Sequence, residues 1–307
     1  MNNPICDTFS SITGIILQRR LWLPEGEPKA ILQLVHGMAE HIDRYDETAR
    51  RMNEAGFAVV GHTHLGHGEE AKTLGHFASK NGWNALIEDT HILRKETAAK
   101  YPSLPYFLLG HSMGSFVVRG YCLRYEKGLA GVILSGTGHY PPALVSLGKA
   151  IASLQCALGM GEKPSPLLKA ISTSGNNKTY PAVRTEFDWL STDEDVVNAY
   201  IADPYCGFTF TARGYRDMFA GLSLLYPQGL SSMEKEIPAY LFSGKDDPVG
   251  GYGEGVKKVA SEIKNAGVTH VTVRLYEGGR HEMFNEKERQ TVWADLAAWM
   301  EQAMAKK

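Results

Sequence analysis

Short apolar runs alternate along this 307-residue chain with segments in which apolar residues repeat at helical spacing. Four runs are apolar almost throughout, as strands buried on both faces of a sheet are: residues 30–35, 57–61, 106–109 and 129–134. Helical spacing marks segments 42–55 and 83–100 between them, which end at Gly56 and before Pro102. The alternation predicts an α/β fold with a mostly parallel central sheet and helices on both faces. Residues 12–23 alternate loosely and predict an edge strand or hairpin arm.

The alternation stops after Ser135 and does not resume for about a hundred residues, although a loop in such a sheet usually takes about 2–6. Segments 142–158 and 193–201 have amphipathic helical spacing, and the gap is too apolar for a disordered linker. Strand and helix patterns then return at residues 239–243, 256–266, 268–276 and 286–304. We therefore predict one core, residues 1–137 and 236–307, with a mostly helical cap inserted at 138–235.

Composition narrows the possible functions and locations. A net charge of −2 gives no electrostatic footprint for nucleic acid. No apolar stretch reaches the ~18 residues of a membrane span, and the N-terminus lacks the pattern of a signal peptide. The four cysteines are scattered without CxxC spacing, which is typical of free thiols in a reducing compartment. We expect a cytoplasmic protein that binds no nucleic acid and has no membrane span.

The segment Gly110-His111-Ser112-Met113-Gly114 lies between the apolar run 106–109 and a helical pattern. A strand, a sharp turn and a helix in this order lift a serine hydroxyl off the end of a sheet on a strained backbone. The two glycines fit because a side chain would collide with neighbouring elements at so tight a corner. Ser112 is therefore the candidate nucleophile.

A serine hydroxyl needs a base to take its proton and an acid to orient that base. Three histidines follow Ser112 in the chain: His139, His270 and His281. His270 lies in the predicted strand 268–276 and His139 has no acid nearby in sequence, whereas His281 follows that last strand in a glycine-containing loop. We predict that His281 is the base.

The acid should end the preceding strand, where Asp246 and Asp247 follow the run 239–243. Pro248 restricts Asp247 to extended geometry within a rigid turn, which favours Asp247 as the fixed orienting group. Asp246 remains its competitor. The chain order serine, aspartate, histidine is that of α/β-hydrolases.

The negative charge that forms on the substrate oxygen requires backbone N–H groups that already point at it. We expect one from Met113, directly after the nucleophile, and one from Met38, in the loop that follows the strand 30–35. Neither assignment requires the methionine side chain.

A metal-dependent alternative comes from the loop His62-Thr63-His64-Leu65-Gly66-His67. Imidazoles at this spacing could hold zinc. Gly66, however, stands where such loops require a carboxylate, and no further ligands lie at convincing positions. We expect no metal or cofactor, and we expect His64 and His67 to brace the oxyanion loop through hydrogen bonds to its backbone.

Several segments together resemble one enzyme family: His36-Gly37-Met38-Ala39-Glu40-His41 with Arg44-Tyr45, Gly66-His67-Gly68, the serine turn, Asp247-Pro248-Val249-Gly250 and Arg280-His281-Glu282. They are similar to those of the monoacylglycerol lipase and bacterial lysophospholipase family of α/β-hydrolases, and of the related serine aminopeptidases. The resemblance implies a triad of Ser112, Asp247 and His281, oxyanion donors at Met38 and Met113, and a cap that forms an acyl or alcohol pocket.

We predict a serine hydrolase of carboxylic esters. The resemblance and the apolar cap favour a monoacyl lipid such as a monoglyceride or lysophospholipid, with transient contact between the cap and a lipid surface. One alternative is an aminopeptidase for short peptides, in which a cap carboxylate grips the amine; the candidates are Glu186, Asp188, Asp193, Glu194 and Asp195. A more remote alternative is a non-catalytic ligand-binding protein on the same fold.

Overall fold

A computed structural model describes residues 3–225 and 235–305 of the chain. Its centre is an eight-stranded sheet with the strand order β1-β2-β4-β3-β5-β6-β7-β8. The strands are β1 (Ile5–Ser10), β2 (Ile16–Trp22), β3 (Ala30–Val35), β4 (Phe57–His62), β5 (Tyr106–His111), β6 (Gly131–Ser135), β7 (Ala239–Gly244) and β8 (Val271–Tyr276). From β4 to β8 neighbouring strands are parallel, while β1 and β2 form an antiparallel hairpin at the edge. The predicted α/β fold class is confirmed.

Nine α-helices lie in the described part of the chain. They are α1 (Asp46–Glu54), α2 (Gly82–Lys100), α3 (Met113–Tyr125), α4 (Pro142–Gln155), α5 (Pro166–Thr173), α6 (Glu194–Ala202), α7 (Ala212–Ser223), α8 (Glu254–Asn265) and α9 (Arg289–Ala305). Gly56 follows α1 with a φ of 88°, a left-handed conformation that glycine adopts at no steric cost and that commonly ends a helix. The sequence analysis did not predict β1, α5 or α7.

The central strands are buried on both faces, as their unbroken apolar runs require. Successive side chains of a strand point to opposite faces. In β3, Ile31 and Val35 therefore pack in the core layer with α2, α3 and α8, whereas Leu32 and Leu34 pack with α1 and α9. The two layers fix the sheet rigidly, and every parallel strand ends at the same edge, where the loops carry the candidate site.

Helices α4 to α7 lie between β6 and β7, in the part of the chain where an inserted cap is predicted. Gly148 of α4 faces the ring of Phe219 in α7, where an added Cβ would lie 2.6 Å from the ring. We propose residues 138–235 as a cap on a core of residues 1–137 and 236–307; of this cap, 226–234 lie outside the described residues.

Helix α4 continues into a π-helical turn, Cys156–Met160. By length and composition, the joined segment Pro142–Met160, with a mean hydropathy of 1.4, is long and apolar enough to cross a membrane. Glycine, serine and one lysine interrupt the segment, so it is not an unbroken apolar stretch of ~18 residues, and length and composition alone are weak evidence for a membrane span.

Candidate active site

Ser112 occupies the sharp turn between β5 and α3. Its backbone angles, φ 51° and ψ −120°, lie in a region that residues other than glycine rarely adopt. The turn is tight because a Cβ at Gly110 would lie 2.3 Å from the Gly114 carbonyl oxygen, and a Cβ at Gly114 would lie 2.0 Å from the Val35 carbonyl oxygen. Both glycines are thus required by close backbone approach, as predicted. Such strain at one serine is typical of a functional position.

The structure brings Asp247 and His281 together at the ends of β7 and β8. His281 Nδ1 lies 3.0 Å from Asp247 Oδ1, and both side chains are fully buried. The Asp247 carboxylate also accepts hydrogen bonds from the Ser243 hydroxyl at 2.5 Å and the Val249 N–H at 2.8 Å. Three donors fix this carboxylate, so it can hold the imidazole in one orientation.

Burial and charge act in opposite directions on the pair. Burial alone would raise the pKa of Asp247, but the charge and hydrogen bond of His281, together with the Ser243 hydroxyl, hold that pKa below its ordinary value. Burial alone would lower the pKa of His281, but the Asp247 carboxylate outweighs it and raises the pKa above 6.5. The pair therefore favours an aspartate anion beside a histidine ready to carry a proton.

The competing residues lie elsewhere. The Asp246 side chain is exposed, and its backbone carbonyl accepts a hydrogen bond from the Tyr180 hydroxyl at 2.7 Å. His139 pairs with Glu262 at 3.1 Å, and His270 is exposed just before β8 begins. Of the predicted candidates, the structure therefore places only Asp247 beside His281.

The second ring nitrogen of His281 is not used by Asp247. His281 Nε2 is buried and has no hydrogen-bond partner within residues 3–225 and 235–305. Ser112 and His281 line the same cavity, together with Met38 and Met113. An unpartnered basic nitrogen beside an open cavity is where a general base would receive a proton, and such bonds often tighten only when substrate binds.

The oxyanion loop, defined here as residues 37–39, follows β3 and is held by an extensive set of hydrogen bonds. Ala39 has a φ of 54°, its N–H donates to His67 Nε2 at 3.3 Å, and its carbonyl accepts from the Tyr200 hydroxyl at 2.8 Å. Met113 is the first residue of α3, so its N–H is among those left without an intrahelical acceptor. The geometry thus suits Met38 and Met113 N–H groups as a pair of donors, and this role stays a prediction.

A buried ionic network lies beneath this loop. Arg44 donates to Glu40 at 2.6 Å and to both oxygens of Glu282 at 2.7 and 2.8 Å, while Glu40 accepts from the Gly37 N–H at 2.5 Å and the Tyr45 hydroxyl at 2.9 Å. Burial raises the pKa of Glu40. Burial also favours a higher pKa for Glu282, but the charge of Arg44 outweighs this effect and lowers the pKa of Glu282 to about 2. The network connects the oxyanion loop to the residue next to His281.

Sequence reasoning did not assign a role to this network. Glu40, Arg44 and Glu282 entered only as parts of the family resemblance. The i,i+4 spacing of Glu40 and Arg44 could have suggested their pairing. Nothing in the sequence pattern indicates that Glu282, 238 positions beyond Arg44, completes it.

Within the histidine-rich loop, His67 bonds directly to the oxyanion loop through the Ala39 N–H, as predicted, whereas His64 bonds to His36, just before that loop. The His64 N–H donates to His36 Nε2 at 3.0 Å, and His67 Nδ1 donates to the Leu65 carbonyl at 3.0 Å. Burial lowers the pKa of His62 to about 3 and that of His67 to about 4, so these rings are neutral at physiological pH. His67 uses both ring nitrogens in hydrogen bonds, whereas His62 contacts His64 through Nε2 and its Nδ1 has no partner among the described residues.

An open cavity with about 1280 Å³ of empty space lies between the cap and the sheet edge. One part of its wall is apolar and comes mainly from the cap and α3: Phe116, Leu144, Val145, Met218, Phe219 and Leu222. Another part is polar: Lys169, Ser172, Thr173, Asn176 and Glu186. A cavity of mixed character at the strand ends suits a ligand with an apolar chain and a polar end.

Comparison with known proteins gives the family and the fold of the chain. The chain matches the family model described as serine aminopeptidase, S33, over residues 26–288. It is 29% identical to a monoacylglycerol lipase of Mycolicibacterium smegmatis over 95% of each chain, and 25% identical to a phospholipase of Bacillus subtilis over 90% of this chain and 96% of the other. A solved thermostable carboxyl esterase of Bacillus coagulans, in complex with glycerol, is 31% identical over 99% of both chains, with a TM-score of 0.91.

The sheet, the strained serine at its edge and the histidine–aspartate pair beside it define an α/β-hydrolase. The solved esterase shares this fold over nearly its whole length. Within that class, the chain belongs to the serine aminopeptidase S33 family, whose model spans most of the core and the cap.

Proposed function

We propose that this protein is a serine hydrolase of carboxylic esters that acts through an acyl-enzyme on Ser112. Ser112 Oγ attacks the ester carbonyl, and His281 Nε2 takes its proton and passes it to the leaving alcohol. Asp247 orients His281 and stabilises its protonated form, and the Met38 and Met113 N–H groups hold the oxyanion. Water, activated by His281, then releases the acid. No cofactor enters these steps.

The observation that carries the proposal is the buried His281, which contacts Asp247 through one nitrogen, has no partner among the described residues for the other, and lines the same cavity as Ser112. An unmatched buried polar atom costs about 1–3 kcal/mol. His62 Nδ1 is also unmatched among the described residues, but of the two histidines His281 alone lines the cavity beside Ser112. The cost is explained if the nitrogen serves a reacting group.

The cavity favours a monoacyl lipid such as a monoglyceride or lysophospholipid. Its apolar wall can hold an acyl chain, and its polar wall can hold a glycerol-like alcohol. The names of the compared relatives, a monoacylglycerol lipase, a phospholipase and a carboxyl esterase, support the same substrate class.

An aminopeptidase is disfavoured although the family model carries that description. Of the five candidate carboxylates in the cap, Glu186 lines the cavity, and it is paired with Lys169 at 2.8 Å. Asp188 is occupied by Thr185 and the Arg184 N–H, and Asp193 caps α6 and pairs with Arg289. Two further carboxylates line the cavity, Glu40 and Glu282, and both are bound to Arg44. Every carboxylate in the described cavity wall therefore already has a cationic partner.

The cap also suits transient contact with a lipid surface. On the outer side of α4 and the turn that follows, Leu147, Leu154 and Leu158 are 57%, 62% and 68% exposed. Leu144, on the same helix, is 47% exposed and lines the cavity as well, so the apolar surface continues into the site. Monoacyl substrates reside in lipid aggregates, where such a surface would meet them.

All four cysteines are free, which supports a cytoplasmic location.

The test compares wild type with Ser112→Ala on 4-nitrophenyl esters of rising chain length, on monoacylglycerols and on aminoacyl 4-nitroanilides. We expect ester turnover in the wild type only, a preference for long acyl chains, and a single fluorophosphonate adduct on the Ser112 peptide. Unchanged ester turnover in Ser112→Ala would overturn the mechanism. Preference for the anilides would overturn the substrate class.

A further inference from the structure

Three side chains of different chemistry converge outside the active site, where the cap meets the end of the oxyanion loop. One ligand atom from each of His41, Asp203 and Cys206 lies within 4.8 Å of the other two. His41 Nε2 is 2.8 Å from Asp203 Oδ2. His41 and Asp203 are largely shielded, with side chains 15% and 28% exposed, and Cys206 is partly buried. This is the sole cluster of three such groups within residues 3–225 and 235–305.

The spacing suits a small tetrahedral cation. Zinc bonds of about 2.0–2.3 Å separate neighbouring ligand atoms by about 3.3–3.7 Å in a tetrahedron. The His41–Asp203 pair, at 2.8 Å, would have to move apart to reach that spacing, and the Cys206 sulfur lies within 4.8 Å of both ligand atoms. One imidazole, one carboxylate and one thiolate also balance the two charges of the ion, because the imidazole binds in its neutral form and the thiol proton leaves to solvent.

The surroundings add a second, independent feature. The other ring nitrogen of His41, Nδ1, faces Asp43 Oδ2 at 3.8 Å, and Asp43 is itself held by Arg20 at 2.7 and 3.2 Å. Asp203 Oδ1 accepts the Tyr205 N–H at 2.8 Å. A hydrogen bond to a ligating carboxylate orients it, as the Tyr205 N–H does here. The Asp43 carboxylate is too distant for a hydrogen bond but lies on the side of His41 where such an outer contact forms.

We propose that His41, Asp203 and Cys206 form a zinc-binding site that ties the cap to the core. The mixed nitrogen, oxygen and sulfur donor set selects a borderline ion such as Zn²⁺ over Mg²⁺ or Ca²⁺. The site takes no part in ester hydrolysis and is independent of the proposed function. Its effect is mechanical, because His41 adjoins the oxyanion loop and both other ligands belong to the cap.

The experiment uses the full-length, metal-stripped protein with Co²⁺ as a spectroscopic probe for Zn²⁺. We expect a thiolate-to-cobalt charge-transfer band that saturates at one ion per chain and disappears when Zn²⁺ is added. Zn²⁺ should also raise the melting temperature, and Mg²⁺ should not. These readouts require no ester turnover, so they succeed or fail apart from the hydrolase assignment.

Variants locate the site. Cys206→Ser should abolish the thiolate band, whereas Cys156→Ser, at another partly buried cysteine of the cap, should retain it. Asp43→Asn should weaken Co²⁺ binding about 10- to 100-fold, as outer-contact variants do at other metal sites. Each variant must melt at the wild-type temperature in the absence of metal, which shows that it is folded. If Cys206→Ser melts lower, His41→Gln is used in its place. No thiolate band in the wild type, or a band that survives in these ligand variants, would overturn the proposal.

Discussion

Arg44 offers the sharpest test of how the site is held together. Its guanidinium is the cation between Glu40 and Glu282, whose side chains are only 4% and 5% exposed. Arg44→Met would leave two buried carboxylates without their counter-ion. Removal of one partner from a buried ion pair typically costs about 3–5 kcal/mol.

The remaining contacts place the expected cost at the lower end of that range. Glu40 keeps its bonds from Gly37 and Tyr45, and Glu282 keeps one from the Asn285 amide at 2.8 Å. We therefore expect a loss of about 3 kcal/mol in the free energy of unfolding. At roughly 2–4 °C per kcal/mol, the melting temperature should fall by about 6–12 °C.

Activity should fall as well, because Glu40 holds the Gly37 N–H and so sets the position of the oxyanion loop. Loss of one oxyanion donor costs about 10²–10³ in kcat, so a displaced donor should cost about 10-fold or more, with KM nearly unchanged. Thermal melting and steady-state kinetics on one ester measure both effects.

Arg51→Met is the matched control, since it breaks a surface ion pair with Glu54 whose side chains are 40% and 42% exposed. Such pairs are worth at most about 1 kcal/mol. The triple variant Arg44→Met, Glu40→Gln, Glu282→Gln should recover part of the stability, because it removes the buried charges. If Arg44→Met melts no lower than Arg51→Met, the reasoning is refuted.

Three further predictions concern the base, its partner and the cap. Asp247→Asn should lower kcat about 10⁴-fold, while Asp246→Asn should change it little; equal losses in the two kcat values would contradict the assignment. The pKa of His281 is raised, and only its neutral form accepts a proton. As the pH is lowered, kcat/KM should therefore fall to half its maximum while the pH is still above 6.5, and a midpoint at or below pH 6.5 would argue against His281. Leu154→Glu with Leu158→Glu should reduce co-sedimentation with anionic phospholipid vesicles several-fold yet leave turnover of a soluble short-chain ester unchanged; undiminished sedimentation would exclude this face.

The sequence was sufficient for the sheet and its edge because the relevant rules are local. A buried parallel strand needs an apolar run, and the serine turn needs glycines on both sides, so β3 to β7 and Ser112 could be predicted from short segments. The preference for Asp247 over Asp246 was likewise local, since Pro248 distinguishes them.

Contacts that cross the chain could not be predicted in the same way. The pairing of Arg44 with Glu282 and the convergence of His41 with Cys206 depend on where the cap settles, and no periodicity encodes that. Helix α7 was not predicted for a related reason. Tyr215 and Phe219 are buried in the core cluster, and Phe219 packs against Gly148 of α4, a contact that the local sequence does not indicate. Strand β1 has mostly exposed residues, so it lacks the apolar pattern that marks the others.

The carbonyl of Ala39 accepts hydrogen bonds from two cap groups at once, the Tyr200 hydroxyl at 2.8 Å and the Gly207 N–H at 3.0 Å. Residues 200–207 are therefore held by hydrogen bonds to the same short turn that carries the proposed oxyanion donor. An engineer who grafts a relative's cap onto this core to change substrate choice must keep this segment with its native turn. Chimaeras that exchange α4 and α5 would keep this turn but replace only part of the pocket wall, because Met218, Phe219 and Leu222 of α7 lie beyond α6.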